Sequence, residues 1–317
     1  MNKQDSAKTV FLALSVNFFI GLIKSFVAIF TSSSAMFSEA VHSFVDSFNQ
    51  FLLWFGIKQA KKDKPLIYPL GRGREEYFWT LVVAVLIFTI GGLVSLEHGI
   101  EALNHPKKLE NLFVSITILS ISIILESYVL VKAVAKLRKD EKSKKKSILK
   151  LLKESNDGPL IAIVVEDFAA TLGLIIALIG TLLTYITTNS IYDAASSIMI
   201  GLLLMVSGLF LGYEMKHLIT GETVDPNIYK NINSEIDSFD DILEIIDTKI
   251  ISIGSNKYLA LIKVNYEDTL TDPEIIDLNQ SIEAKIKNVD SRFSHLYICL
   301  LYTSDAADEG LGVDLGG

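Results

Sequence analysis

The chain has 317 residues, of which 50% are hydrophobic, and its mean hydropathy is +0.40. A soluble protein dilutes its apolar residues with a charged surface, so this composition excludes an ordinary soluble protein and indicates a chain that largely faces lipid. The formal net charge is −8, and no nucleic-acid partner is expected.

Six apolar stretches have the length of about 20 residues that a helix needs to cross a hydrocarbon core. They occur near 9–30, 36–57, 77–99, 111–135, 159–184 and 191–213. The first stretch is too long for the apolar region of a cleaved signal peptide, and no clear small-residue cleavage site follows it. We therefore predict an α-helical membrane protein with six transmembrane helices in residues 1–213.

The second span carries a stripe of polar residues, Glu39, His42, Asp46 and Asn49, at spacings that place them along one side of a helix. Polar stripes on spanning helices face cavities rather than lipid. His42 and Asp46 are four residues apart, so an imidazole and a carboxylate one turn apart can bind one divalent metal. The second span therefore predicts a protein that handles a metal ion inside the membrane.

Other spans also carry charged residues. Glu126 lies well inside the fourth span, where it can complete a coordination shell, relay protons or pair with a lysine such as Lys24 of the first span. Glu166 and Asp167 lie side by side in the fifth span. Asp193 opens the sixth span and is most simply an N-cap of that helix.

The distribution of lysine and arginine sets the expected orientation. The loop after span two and the loop after span four are rich in basic residues, whereas the connection between spans three and four holds only Lys107 and Lys108. Basic loops stay in the cytoplasm. We therefore predict a multi-pass protein of the cell membrane with both termini cytoplasmic.

Residues 214–299 have the texture of a soluble domain. Asp225 and Pro226 open an amphipathic helix, β-rich runs at 250–253 and 258–266 surround a turn at 254–256, Asp272 and Pro273 open a second helix, and a strand begins at His295. The order αββαβ predicts a small cytoplasmic ferredoxin-like α+β domain.

The final stretch, residues 300–317, has no periodicity, and we expect it to be a non-native or disordered tail. Cys299, the only cysteine, directly precedes it. Cysteine therefore supports neither a disulfide nor a thiolate metal site.

The order of these features resembles the cation diffusion facilitator family over about residues 8–298. The resemblance rests on the six spans, the HxxxD pattern of the second span, the PLGRGREE loop, the lysine-rich loop after the fourth span and the αββαβ end. It implies a homodimeric exporter of zinc or a related divalent cation, usually driven by proton antiport, whose cytoplasmic domain binds metal and helps the chains to dimerise. Zn²⁺ is then the transported substrate, and no prosthetic group is expected.

The resemblance also implies a transport site built from two residues of helix two and two of helix five. His42 and Asp46 match the first pair, and Asp167 matches one position of the second. Ile163 occupies the position four residues earlier, so one ligand is missing there and Glu166 is the candidate replacement. Adjacent helical residues point about 100° apart, and we expect Asp167 to be the principal ligand of the two. Glu126 is a further candidate.

Two other functional classes stay open at this stage: a metal-gated channel and a metal-sensing scaffold that moves no ions. An enzyme is not expected, because the chain has neither an HExxH nor a GxSxG motif. Imidazole and carboxylate ligands also suit Mn, Fe, Co, Ni and Cd, so the residues alone do not select zinc.

Overall fold

The computed structural model describes residues 3–62, 66–106, 109–138, 146–222 and 226–300, with side chains described from residue 17 onward within these ranges except at 226, 227 and 300. Several sequence predictions lie outside the described residues: the lysine pair 107–108, most of the lysine-rich loop, the cap at Asp225 and the tail from 301. The chain divides into two compact units, residues 1–220 and 221–317. The predicted boundary at 213 falls inside the last helix of the first unit.

Helices are the only regular secondary structure among the described residues of the first unit. Its helices are α1 (Lys3–Thr31), α2 (Ser34–Ala60), α3 (Glu75–Asn104), α4 (Leu112–Leu137), the short α5 (Ile148–Glu154), α6 (Gly158–Thr187) and α7 (Ile191–Thr220). A π-helical stretch, Ile87–Leu93, lies inside α3. The predicted spans one to six correspond to α1, α2, α3, α4, α6 and α7.

Four helices in the described part of the chain are long and apolar enough to cross a membrane, namely α3, α4, α6 and α7. α1 contributes a shorter apolar segment, Asn17–Thr31. α2 is not among the four, and its row of polar side chains lowers its apolar content. Length and composition therefore support four of the six predicted spans, and the spanning of α1 and α2 stays a prediction.

Glycines bring α3 and α7 into close contact. A Cβ atom added at Gly99 would lie 2.8 Å from the backbone nitrogen of Ile198, and one added at Gly201 would lie 2.6 Å from the backbone nitrogen of Leu96. Glycine is required where two helix backbones approach this closely. The α3–α7 pair forms one wall against which α2 packs.

Hydroxyl groups fasten α2 to that wall. The Ser38 and Ser197 hydroxyls are 2.7 Å apart and share a hydrogen bond, and Ser197 also donates to the Ser95 carbonyl at 3.0 Å. All three residues are buried. A buried hydroxyl without a partner is costly, so this relay holds α2 in one rotational position about its axis.

The second unit consists of α8 (Pro226–Ile236), β1 (Ile242–Gly254), β2 (Lys257–Tyr266), α9 (Asp272–Val289) and β3 (Phe293–Leu300). The predicted order αββαβ is confirmed. The three-stranded sheet has the order β1-β2-β3, with the first pair antiparallel and the second parallel. Over residues 226–300 this is the ferredoxin-like order without its first strand.

The apolar faces of the second unit were predictable from spacing, whereas the length of β1 was not. Ile232 of α8 and Ile282 of α9 pack with Tyr258 and Ile262 of β2 in one buried core. The pairing of β1 with β2 has register shifts between 242 and 247, which break the alternation that reveals a strand. For this reason periodicity located only residues 250–253.

Candidate functional site

The N-terminus of α2 is held by a carboxylate from α7. Asp193 accepts hydrogen bonds from the Ser33 hydroxyl at 2.6 Å, the Ser34 backbone nitrogen at 2.5 Å and the Ala35 backbone nitrogen at 3.2 Å. The first N–H groups of a helix lack partners inside that helix, and negative charge is favoured there. The prediction that Asp193 caps its own helix, α7, is therefore wrong, because its carboxylate binds the N-terminus of the neighbouring helix α2 instead.

The polar stripe of α2 is buried inside the helical unit. Glu39 and Asn49 are fully shielded, and His42 and Asp46 are 2% and 8% exposed. The direction of the stripe follows from the position in which Ser38 and Asp193 hold the helix. The four side chains therefore lie inside the helical unit rather than on its outer surface, as expected of a polar stripe that faces inward.

His42 and Asp46 form the centre of the candidate site. The Nδ1 atom of His42 lies 3.3 Å from Oδ1 of Asp46. Within the described part of the chain, the two ring nitrogens of His42 and the Oδ1 atom of Asp46 have no hydrogen-bond partner. Buried polar atoms are nearly always satisfied in folded proteins, and exceptions mark functional groups or the place of an ion. These atoms are therefore free to bind a cation or a proton.

α6 presents Glu166 to this pair. Glu166 is buried, and its Oε1 accepts a hydrogen bond of 3.0 Å from the Asn49 amide. The carboxyl groups of Asp46 and Glu166 lie close enough to share a hydrogen bond when one of them carries a proton. Glu166, the candidate replacement for the missing ligand, is thus in contact with α2 through Asn49.

Asp167 occupies a different direction on α6. It is only half-buried, and its Oδ2 has no hydrogen-bond partner among the described residues. Its carboxylate interacts electrostatically with Glu166 and with Glu126. Since neighbouring residues of a helix point about 100° apart, Glu166 and Asp167 cannot face Asp46 equally.

Glu126 of α4 is half-buried and interacts electrostatically with Asp46, Glu166 and Asp167. The alternative that Lys24 pairs with Glu126 is not what the structure shows. Lys24 Nζ instead lies 3.2 Å from Oε2 of Glu39, because α1 packs directly along α2. The only signal for this pair in the sequence is the isolated Lys24 in an apolar span, because the position of Glu39 on the polar stripe predicts cavity lining rather than an ion pair.

No group of three or more His, Cys, Asp or Glu side chains within the described residues is already arranged to hold a metal ion. The site consists of the His42–Asp46 pair, with Glu166 adjacent and Asp167 and Glu126 at its edge. Zinc sites use distances of about 2.0–2.2 Å to nitrogen and oxygen. Coordination of a zinc ion by residues of both helices would require ligand atoms of α2 and α6 at these distances from one point.

A separate cavity of about 300 Å³ opens near the ends of α3 and α7. Its lining includes His98, Glu101 and His105 from one side of α3 and its C-terminal end, together with Asp193. The His98 ring packs against the Phe37 ring at a centroid distance of 4.0 Å, with the two ring planes tilted by 35°. Both oxygens of Asp193 are already engaged by α2 and its cap, so this carboxylate serves to hold the helix there.

Comparison with known proteins gives a consistent picture. Residues 10–218 match the cation efflux transmembrane domain. The chain is 33% identical over 260 residues to the "Proton-coupled zinc antiporter SLC30A9, mitochondrial" of Mus musculus, which covers 82% of this chain and 46% of that relative. It is 28% identical over 267 residues to "Metal tolerance protein C4" of Arabidopsis thaliana, covering 84% of this chain and 58% of the relative.

A third relative, the "Manganese efflux system protein MneP" of Bacillus subtilis, is 21% identical over 310 residues, covering 97% of this chain and 98% of the relative. The chain thus spans about half the length of the zinc-antiporter relative and nearly the whole of the bacterial one.

Proposed function

The chain belongs to the cation efflux family, also called the cation diffusion facilitators. On that basis we propose that it exports a divalent metal cation in exchange for protons, and that its preferred cargo is zinc. Zn²⁺ is the cargo in this account. The chain's own residues bind the ion, release it and carry protons back.

One observation carries the proposal: His42 and Asp46 of α2 lie buried, with unpartnered ring nitrogens and a free carboxylate oxygen, beside Glu166 of α6. Buried ionisable groups in a membrane are expensive and mark ion pathways. An imidazole with two carboxylates suits four-coordinate zinc, whose fourth position water or Asp167 can fill. We take Glu166, because of its contact with Asp46, as the principal ligand from α6.

Support for zinc comes from the relatives named as a proton-coupled zinc antiporter. The more distant relative named as a manganese efflux protein marks manganese as the alternative cargo. The single nitrogen ligand favours zinc, since imidazole suits zinc better than manganese, whereas carboxylates accept manganese readily.

The donor set gives a physical basis for proton coupling. Metal binding requires neutral His42 and ionised Asp46 and Glu166, so metal and protons compete for the same atoms. Metal binds from the cytoplasm, the helices reopen outward, and protons displace the ion there. The protonated site then returns, which completes one exchange.

We propose that α1 and α2 also cross the membrane, giving six spans with both termini in the cytoplasm. The lysine-rich loops on that side support this orientation. The second unit is then a cytoplasmic domain, and two chains form a homodimer in the cell membrane, as the family resemblance implies.

The purified full chain in proteoliposomes tests the proposal. Zinc uptake and internal pH are measured together, across a panel of zinc, manganese, cobalt and cadmium. We expect saturable zinc movement accompanied by opposite proton movement, and loss of both in Asp46→Ala. Zinc movement without proton movement contradicts antiport and indicates a channel, and the absence of any flux in a vesicle-inserted protein that binds zinc indicates a scaffold.

A further inference from the structure

Lys24 is the one lysine or arginine that is buried among the residues the structure describes, with 1% exposure. It lies in the apolar part of α1 and pairs with Glu39 of α2, which is fully buried, at 3.2 Å. A charge inside a bilayer needs a partner, so the fold places both charges there at a considerable cost. Nothing in the metal site as described above uses this pair.

The pair lies beside the metal site. Glu39 is on the same stripe of α2 as His42 and Asp46, one turn before His42. On the other side, a Cβ atom added at Gly173 of α6 would lie 2.9 Å from Oε1 of Glu39. Glu39 therefore reaches the backbone of the helix that carries Glu166, and the missing side chain at Gly173 gives it room.

Only one of the two Glu39 carboxylate oxygens has a hydrogen-bond partner among the described residues. Lys24 engages Oε2, whereas Oε1 is buried without a hydrogen-bond partner within the described residues. Glu39 is thus ion-paired but not saturated. A carboxylate in this state still attracts a nearby cation, and the extent of the attraction depends on the lysine.

The charge of Lys24 extends to the metal site. It acts on His42, Asp46 and Glu126 as well as on Glu39. Electrostatic interactions are stronger inside a low-dielectric interior than in water. A fixed positive charge at this place stabilises the carboxylates when no metal is bound and repels a divalent cation that enters.

We propose that Lys24 is a resident counter-cation of the metal site, which neutralises Glu39 and weakens zinc binding enough for the ion to be released. The inference rests on the proposed function. An exporter needs a site that binds its cargo without trapping it, and a cation built into the protein provides that limit through charge. Lys24 is a positioning residue in this account, because it does not touch the metal.

A double-mutant cycle tests the inference. Zn²⁺ binding to the purified full chain in nanodiscs is measured by calorimetry at one fixed pH for Lys24→Gln, Glu39→Gln and the double variant. Loss of the lysine leaves an uncompensated carboxylate, so the Kd should fall about tenfold, and loss of the glutamate should raise it about tenfold. The double variant restores the charge balance, so its Kd should stay within about threefold of the wild-type value.

Transport measurements give a second readout. Lys24→Gln should lower both KM and the maximal rate of zinc transport, because an ion that binds more tightly leaves more slowly. Lys132→Gln is the matched control, since Lys132 is an exposed lysine of α4 that lies over the Tyr128 ring at 4.3 Å. The zinc affinity of the Lys132→Gln variant should equal that of the wild type.

If the Lys24–Glu39 pair only stabilises the fold, Lys24→Gln and Glu39→Gln should both bind zinc more weakly than the wild type. That outcome overturns the inference. A double variant as weak as Glu39→Gln also overturns it, because Glu39 would then be a ligand. If Lys24→Gln does not fold, the comparison of Glu39→Gln with the double variant still decides. Asp46→Ala separates the two proposals: if it binds zinc normally, the proposed function fails at its site, whatever Lys24 does.

Discussion

The Asn49 amide donates a hydrogen bond of 3.0 Å to Glu166, and both side chains are buried. Asn49 lies three residues after Asp46 on the same face of α2, so this face both carries the Asp46 carboxylate and orients the Glu166 carboxylate of α6. The contact selects Glu166 over its neighbour Asp167 as the residue that α6 directs toward α2.

The first prediction compares those two neighbours. Glu166→Gln should weaken zinc binding by at least about 100-fold, because loss of a ligand should exceed the 10–100-fold loss typical of a residue that only supports one. Asp167→Asn should change the Kd by much less, about tenfold at most. Zinc titrations of both purified variants provide the measurement, and a stronger effect of Asp167→Asn would make Asp167 the principal ligand from α6.

Asn49 itself should act through Glu166. Asn49→Ala removes the donor that orients the carboxylate, so zinc affinity should fall by about tenfold or more while the protein still folds. Ser47→Ala is the matched control on the same helix, because the only hydrogen bond of the Ser47 hydroxyl among the described residues is to the Ser43 carbonyl of its own helix, at 2.9 Å. Equal zinc affinity in Asn49→Ala and the control would show that Glu166 needs no such support.

Much of this site was accessible from the sequence. The spacing of His42 and Asp46, together with the polar residues on either side, predicted that one face of α2 would be buried. Which of Glu166 and Asp167 contacts α2 was not accessible, because it depends on the rotation of α6 about its axis. That rotation is set by packing against α2, α4 and α7, and a short sequence pattern does not encode it.

Long-range pairings were also beyond the sequence. Asp193 and Ser34 are 159 residues apart, yet the carboxylate caps α2, and the local pattern predicted a cap of its own helix. The partner of Lys24 was also not predictable, because the spans contain several carboxylates and sequence spacing does not single out Glu39. In the second unit, by contrast, Ile232 and Ile282 were predictable, because helical periodicity alone decides which side chains face the core.

The capping role of Asp193 leads to a prediction about stability. Asp193→Ala leaves the Ser34 and Ala35 N–H groups without their acceptor, which should destabilise the helical unit by about 1–2 kcal/mol. For a unit of this size the apparent Tm should fall by roughly 2–8 °C. Thermal unfolding in detergent measures the change. Asp193→Asn, which keeps one acceptor oxygen but loses the charge, should fall between the wild type and Asp193→Ala.

Orientation can be tested by labelling introduced cysteines in intact cells, in a Cys299→Ser background because Cys299 is exposed. Cysteines at Ser143 and Ser234 should resist an impermeant reagent added from outside, since the proposed orientation places both positions in the cytoplasm. A cysteine at Asn104, at the far end of α3, should react. Strong labelling of the cysteine at Ser234 from outside would show that the chain has the opposite orientation in the membrane.

The most direct test of the metal site is X-ray absorption of the full chain loaded with one equivalent of zinc. The account predicts one imidazole and two or three oxygen ligands at about 2.0–2.2 Å. In His42→Asp the imidazole signature should disappear, leaving oxygen ligands only. An unchanged imidazole signature in His42→Asp would show that zinc binds elsewhere in the chain, and it would contradict a transport site built on His42, Asp46 and Glu166.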